Sequence, residues 1–371
     1  MALFFYIILP LACLTGFALF SRAYLKPGAA SAPCASKISV IIPARNEEHN
    51  LPHLLGSLQQ QTLMPGEIIV VDDSSTDGTS RVARQYEGVT VIRNPALPDG
   101  WTGKTWAVWN GYQHATGDLL VFLDADVRLN PRALELLVAA RERSGGAISV
   151  VPYHHTERFY ERLSLIPYLL GVFSFVSPFE RSRARNLYGS CIVATREDYD
   201  RIGGHHSIRG ELLDDLNLGK KFDEAGIRVE NFLGNGYVRF RMYPYGLLSE
   251  MHGFSKGAVL STATLQPATI ALIAIWLAGL LAVEFMLPVL IVLRSPLVWP
   301  FLAGYALYTL QILYFLRYTG RYRWLIPAVH ILSSIFFLVV MAYSAYQVVC
   351  VGTVSWKGRQ VAVRGGERGG R

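Results

Sequence analysis

The stretch that most constrains this chain is Leu119-Leu120-Val121-Phe122-Leu123-Asp124-Ala125-Asp126, an apolar run that ends in two carboxylates one residue apart. Bounded by Gly117 on one side and Asn130-Pro131 on the other, it reads as a buried strand that stops at a functional edge. Two carboxylates at a strand end repel each other unless a cation sits between them. Mg²⁺ or Mn²⁺ held by one or two carboxylates together with substrate phosphates is one solution. A solvated strand-to-loop turn is the alternative, because aspartate is a common turn residue.

The surrounding sequence repeats the pattern. Ile38 to Ile42 is a β-branched strand ended by Pro43, Leu51 to Leu58 a helix, and Glu67 to Val71 a second strand. Arg81 to Tyr86 reads as helical, Val89 to Ile92 as a third strand, and Thr105 to Ala115 as another helix. This β-α-β-α order predicts an α/β fold with a mostly parallel, Rossmann-like sheet and ligands at the C-terminal ends of its strands. Polar residues follow three of these strands directly: Arg45-Asn46-Glu47, Asp72-Asp73, and Asp124 with Asp126. Three such ends favour one shared site over solvation alone.

Other polar motifs carry two readings each. Asp72 to Thr79 contains good turn and cap residues, and Asp77 or Ser75 could cap the next helix. The acidic pair right after a buried strand is better suited to accepting hydrogen bonds from a base or ribose. Pro98 to Lys104 lacks the spacing of a phosphate loop. It is either a plain turn or a glycine-flexed loop presenting Lys104 to a diphosphate. Asp214-Asp215, before a helical Leu216-to-Ala225 stretch, is either an N-cap or the source of a general base. His154-His155 and His205-His206 lack the spacing of a zinc helix and read as structural.

The flanks have membrane-protein composition. Met1 to Phe20 carries no charge and is followed by Arg22 and Lys26, as expected of an uncleaved anchor; a signal peptide would need a positive segment that is missing. Three further spans are expected near Pro267–Leu293, Pro296–Leu316 and Trp324–Val349, with Glu284 turned away from lipid. Leu163 to Phe179 contains Pro167 and Pro178 and is flanked by arginines, which suits an interfacial helix; a buried core helix is the alternative. The basic loop Arg317 to Arg323 belongs in the cytosol. The basic tail from Trp356 does too, which conflicts with three full spans after a cytosolic domain unless one segment is interfacial or re-entrant.

Composition narrows the partners. The net charge of +7 suits a surface against anionic lipid. The basic residues are scattered and no nucleic-acid motif occurs, so no nucleic-acid partner is expected. The four cysteines are far apart and show neither a disulfide framework nor zinc spacing, consistent with a cytosolic catalytic region.

Taken in order, Ile41 to Glu48, Asp72 to Thr79, Asp124-Ala125-Asp126 and Asp214 to Gly219 resemble the motifs of membrane-associated family-2 glycosyltransferases. The likeness covers about Lys37 to Gly257. Pro152-Tyr153-His154, Arg158 to Glu161, Phe240 to Tyr243 and Trp356 to Gln360 are most similar to the carotenoid-carboxylate branch of that family. Trp101 to Lys104 also resembles hopanoid-associated members. The resemblance implies a GT-A catalytic domain over 37–257 between an N-terminal anchor (1–26) and a C-terminal transmembrane region (265–350) with a basic tail (351–371). It implies that Pro43, Ala44, Arg45 and Glu47 line a uridine pocket and that Asp73, with Asp72, contacts the base. Lys104 would meet the donor, and Asp124 and Asp126 the ribose and Mn²⁺ or Mg²⁺. Asp215 would be the base, with Asp214 where the family usually carries glutamate. Processive members carry a Gln-x-x-Arg-Trp motif; here His252 to Lys256 stands in its place, which implies a single transfer. The expected activity is inverting transfer of a hexose from a UDP-sugar to a lipid or carotenoid acceptor at the membrane.

Overall fold

Seven strands form one sheet in the spatial order β3-β2-β1-β4-β8-β6-β9. They are β1 (Ile38–Ala44), β2 (Glu67–Asp72), β3 (Val89–Arg93), β4 (Leu119–Leu123), β6 (Ala147–Val151), β8 (Cys191–Thr195) and β9 (Val229–Leu233); β5 (Val127–Leu129), β7 (Tyr153–His155) and β10 (Val238–Phe240) lie outside it. The computed structural model describes residues 2–27, 36–182, 186–255, 265–351, 353–356 and 359–362. Lys256 and most of the basic tail, both singled out above, lie outside the described residues.

The first four strands are mutually parallel, as the β-α-β-α reading predicts. β8 then runs antiparallel to both β4 and β6, and β6 pairs parallel with β9. Every residue of β4, β6 and the centre of β1 is buried, which explains their unbroken apolar runs: helices cover both faces. One face packs Val40, Ile42, Val70, Val121 and Val193 against Leu51, Leu54, Leu55 and Leu58 of the Leu51–Leu58 helix. The other packs Ile41, Val71, Leu120 and Phe122 against Ala107 and Val108 of the Gly103–His114 helix.

One boundary differs from expectation. Pro43 does not end β1, which continues to Ala44. Pairing with β4 stops at Ile41 opposite Phe122, so Pro43 lies past the last rung on that side, where its missing N–H breaks no ladder bond. The extra residues carry β1 to the level of Asp72 on β2.

The chain divides into two interleaved units. The sheet unit comprises Ala23–His154 and Ser182–Arg241; the helical unit comprises Met1–Arg22, His155–Arg181 and Met242–Arg371. In the helical unit, Tyr160–Glu180, Pro267–Val292, Val298–Thr319 and Ile331–Val351 are long and apolar enough to cross a membrane, and Leu3–Leu19 forms a shorter apolar helix. The N-terminal helix packs closely on its neighbours: a Cβ at Gly16 would come within 2.6 Å of Trp276 Nε1. Gln311 satisfies its polar atoms inside this apolar region, accepting from Trp276 Nε1 at 2.8 Å and donating to the Cys13 carbonyl at 2.7 Å.

Glu284 is 1% exposed and turned into the protein, as its charge requires. Its Oε1 accepts hydrogen bonds from His330 Nδ1 and, at 2.8 Å, from Ser334 Oγ.

Candidate active site

The sheet unit brings the sequence-predicted polar residues together at the C-terminal edge of its parallel strands, and they fall into two groups. The first surrounds Asp73, just beyond β2. Its backbone N–H donates to the Ala44 carbonyl at 2.8 Å, which ties the ends of β1 and β2 together. Arg45 Nη1 donates to the Asp73 carbonyl at 2.8 Å and lies 3.8 Å from its Oδ2. On the other side Asn94 Nδ2 donates to Asp73 Oδ1 at 3.0 Å, and Asn110 Nδ2 in turn donates to Asn94 Oδ1 at 2.9 Å.

Asp72 is used differently. Its Oδ1 accepts from the Ser75 N–H at 2.9 Å and its Oδ2 from the Ser80 hydroxyl, so this carboxylate shapes the loop that follows β2. Asp77 does likewise, accepting from the Thr79 N–H at 3.0 Å and from the Glu48 N–H at 3.2 Å, the local turn role read from the sequence. Glu47 is buried; its N–H donates to Thr79 Oγ1 and its Oε2 accepts from Asn50 Nδ2. Pro43 and Ala44 form the end of β1 beside this group.

The second group centres on Lys104. Its Nζ stands 2.9 Å from Asp124 Oδ1 and 3.8 Å from Asp214 Oδ2, and Asp215 also acts on it. Burial alone would push the Lys104 pKa down, but the three carboxylates more than reverse this and hold it well above the ordinary lysine range. Asp124 lies directly after β4, where its N–H donates to the Ser190 carbonyl at 3.0 Å. Asp126 follows the buried Ala125, so the two carboxylates flank a fixed core residue.

Asp214 and Asp215 are the first two residues of the Asp214–Glu224 helix. The N-cap is Leu213 and makes no side-chain cap, so neither aspartate has the capping position considered from the sequence. Asp215 is nevertheless held by backbone: Oδ2 accepts from the Gly189 N–H and Oδ1 from the Leu216 N–H, each at 3.0 Å. Negative charge at this helix start is favoured by the backbone dipole.

Among the described residues no group of three or more histidine, cysteine, aspartate or glutamate side chains could hold a metal by itself. The donor set still fits Mn²⁺ or Mg²⁺. Asp124 Oδ1 already faces a cation, the Lys104 ammonium, and two hard carboxylates leave positions for phosphate oxygens.

Sequence reasoning missed three contributors. Asn94 follows β3 as Asp73 follows β2 and could have been found by extending the strand-end rule to that third strand. Asn110 and Gly189 left no such signal, because their roles depend on contacts distant in sequence.

A mostly parallel sheet whose strand ends carry Asp73 with its arginine and asparagine partners, and a lysine among carboxylates, has the layout of a GT-A glycosyltransferase. The family model for Glycosyl transferase family 2 matches residues 39–203. The 4,4'-diaponeurosporenoate glycosyltransferases of Staphylococcus aureus strains USA300 and NCTC 8325 are each 35% identical over 333 residues, covering 88% of this chain and 88% of theirs. The chain belongs to glycosyltransferase family 2. Among solved structures, the mannosyltransferase PcManGT from Pyrobaculum calidifontis, in complex with GDP-Man and Mn²⁺, shares the fold with a TM-score of 0.55 at 17% identity. That match covers 93% of this chain and 98% of the other.

Proposed function

We propose that this enzyme transfers one hexose, glucose, from a UDP-sugar to a carotenoid carboxylate such as 4,4'-diaponeurosporenoate, with inversion at the anomeric carbon. The observation that supports the acceptor is the 35% identity to diaponeurosporenoate glycosyltransferases across 88% of both chains. In the reaction an acceptor carboxylate oxygen bonds to the sugar C1 as the C1–O bond to the diphosphate breaks. The electron pair leaves with UDP, and the product is a glycosyl ester.

In this reading Asp73, fixed between Arg45 and Asn94, accepts hydrogen bonds from the uracil, and Pro43, Ala44, Arg45 and Glu47 wall the pocket. Asp72 supports that pocket through its loop contacts. Asp124 contacts the ribose, and Asp124 and Asp126 would hold the divalent metal. When bound, Mn²⁺ or Mg²⁺ stabilises the developing charge on the departing diphosphate. Lys104 supplies a second positive charge on that side. A carboxylate acceptor arrives already ionised, so Asp215, with both oxygens pinned by backbone N–H groups, orients the nucleophile more than it deprotonates it, and Asp214 shares the charge beside Lys104.

The reaction takes place at the cell membrane with the sheet unit in the cytosol. Among the described residues, four helices long and apolar enough to span support this, as do lipid-ready side chains such as Val292 and Val349, each 81% exposed. The basic stretch from Arg317 to Arg323 supports the orientation. His252 to Phe254, in a helix where processive enzymes carry their Gln-x-x-Arg-Trp motif, supports a single transfer.

The test is membrane-fraction turnover of radiolabelled UDP-glucose with Mn²⁺, offering diaponeurosporenoic acid and a polyprenyl phosphate separately. Label in the carotenoid alone is expected. Label in the polyprenyl phosphate alone would replace the acceptor while keeping the donor half. A binding protein without turnover would give label in neither.

A further inference from the structure

Lys104 is placed against two ordinary preferences. It is the second residue of the Gly103–His114 helix, where the backbone dipole disfavours a cation, and its side chain is only 29% exposed. Its position is explained by the carboxylates it meets. Asp124 comes from the end of β4, and Asp214 and Asp215 from the start of a helix far later in the chain. Without a cation these groups would repel one another across a partly buried space. With Lys104 at 2.9 Å from Asp124 and 3.8 Å from Asp214, one ammonium joins the two chain segments.

The same contact has a consequence for metal binding. The oxygen nearest the ammonium belongs to Asp124, which the proposed function assigns to the divalent ion. An ammonium and a divalent cation on one carboxylate repel each other, so the two compete unless the ammonium moves. Its flexible four-carbon stem allows that movement, and a diphosphate offers it a new anionic partner.

We propose that Lys104 is a built-in counter-ion that holds Asp124 and Asp214 together in the donor-free enzyme and yields Asp124 to the metal as the donor's diphosphate arrives. This rests on the assignment of Asp124 as a metal ligand. Lys104 thereby weakens metal binding in the absence of nucleotide and couples it to donor binding. The enzyme takes up metal together with the donor and only poorly without it.

Full-length protein in detergent tests this, with Mn²⁺ binding followed by electron paramagnetic resonance in the absence of nucleotide. Lys104→Met is expected to bind Mn²⁺ about tenfold more tightly than wild type, equivalent to roughly 1.4 kcal/mol. It is also expected to melt lower in chelator and to regain more of its melting temperature when Mn²⁺ is added. Lys104→Arg keeps the charge and should leave Mn²⁺ binding as weak as wild type or weaker, which gives a second reading if the methionine variant folds poorly. Unchanged or weaker binding by folded Lys104→Met overturns the proposal while leaving the metal assignment in place. Absence of Mn²⁺ binding from wild type and both variants, with or without UDP, overturns the metal assignment as well.

Discussion

The Gly189 N–H donates to Asp215 Oδ2 at 3.0 Å, and a Cβ at Gly189 would lie 3.0 Å from that same oxygen. A side chain there would also come within 3.2 Å of Asp215 Cβ and 3.3 Å of Cγ, so the rigid stem of the aspartate would have to shift. Gly189→Ala is therefore expected to displace the carboxylate by a few tenths of an ångström. Turnover should fall by roughly tenfold to a hundredfold with little change in donor affinity, because misplacing a group at the reacting centre is costly. Kinetics with the donor varied, alongside UDP titration, separates the two effects. A loss of donor affinity with normal turnover would place Asp215 in the donor pocket instead.

The Asn110–Asn94–Asp73 relay orients the carboxylate assigned to the base. Asn94→Ala removes a hydrogen bond to a charged group, a contribution of about 1.5–3 kcal/mol. UDP affinity measured by calorimetry should drop by roughly tenfold or more. Asn110→Ala should have a smaller effect in the same direction, since it acts through Asn94. Unaltered UDP binding in both variants would move the base contact away from Asp73.

His205 is buried, and burial pushes its pKa from an ordinary 6.5 down to about 4, with Asp214 opposing the shift and Lys104 adding to it. Its backbone N–H donates to the Tyr199 hydroxyl, and that hydroxyl lies 2.7 Å from Nδ1, an arrangement suited to a neutral ring. Between these two pH values the unfolded chain binds a proton at this position and the folded chain does not. Stability therefore rises with pH across the window and is lost as pH falls from about 6.5 to about 4, by up to roughly 3 kcal/mol. Melting temperatures across that range should show the decline, and His205→Gln should flatten it. A variant with the same acid sensitivity as wild type would assign the loss to other groups.

Glu284 and His330 join two apolar helical segments through a fully buried hydrogen bond. Removing one partner leaves the other's polar or charged group buried with less compensation, which costs about 3–5 kcal/mol for a buried pair. His330→Ala should lower the melting temperature in detergent strongly. The double change Glu284→Leu with His330→Leu should recover part of the loss. A single variant as stable as wild type would show that the pair adds nothing to the helical unit.

Part of this was legible in the sequence because strand ends write themselves plainly: apolar runs that give way to carboxylates mark Asp73 and Asp124 as residues at the ends of β2 and β4. The sequence could not separate Asp72 from Asp73. The division of labour depends on Ser75 and Ser80 capturing one carboxylate and Asn94 the other. Nor could local pattern place the start of the Asp214–Glu224 helix, where Leu213 adopts φ −102° and ψ 70° and both aspartates become helical. Lys104 was visible as a lone cation in a glycine loop, but its partners came from β4 and from a distant helix. Such long-range pairings leave no periodic trace for a sequence to show.

In the proposed reaction the Asp124–Asp126 edge, with Lys104, receives a metal-bound nucleotide diphosphate. The structure of the purified enzyme with UDP and Mn²⁺, with the metal located by its anomalous scattering, tests this most directly. One Mn²⁺ peak is expected against the carboxylates of Asp124 and Asp126, with Lys104 Nζ moved from Asp124 toward the phosphates and the uracil against Asp73. A metal bound elsewhere, or a diphosphate bound with Lys104 still on Asp124, would contradict it.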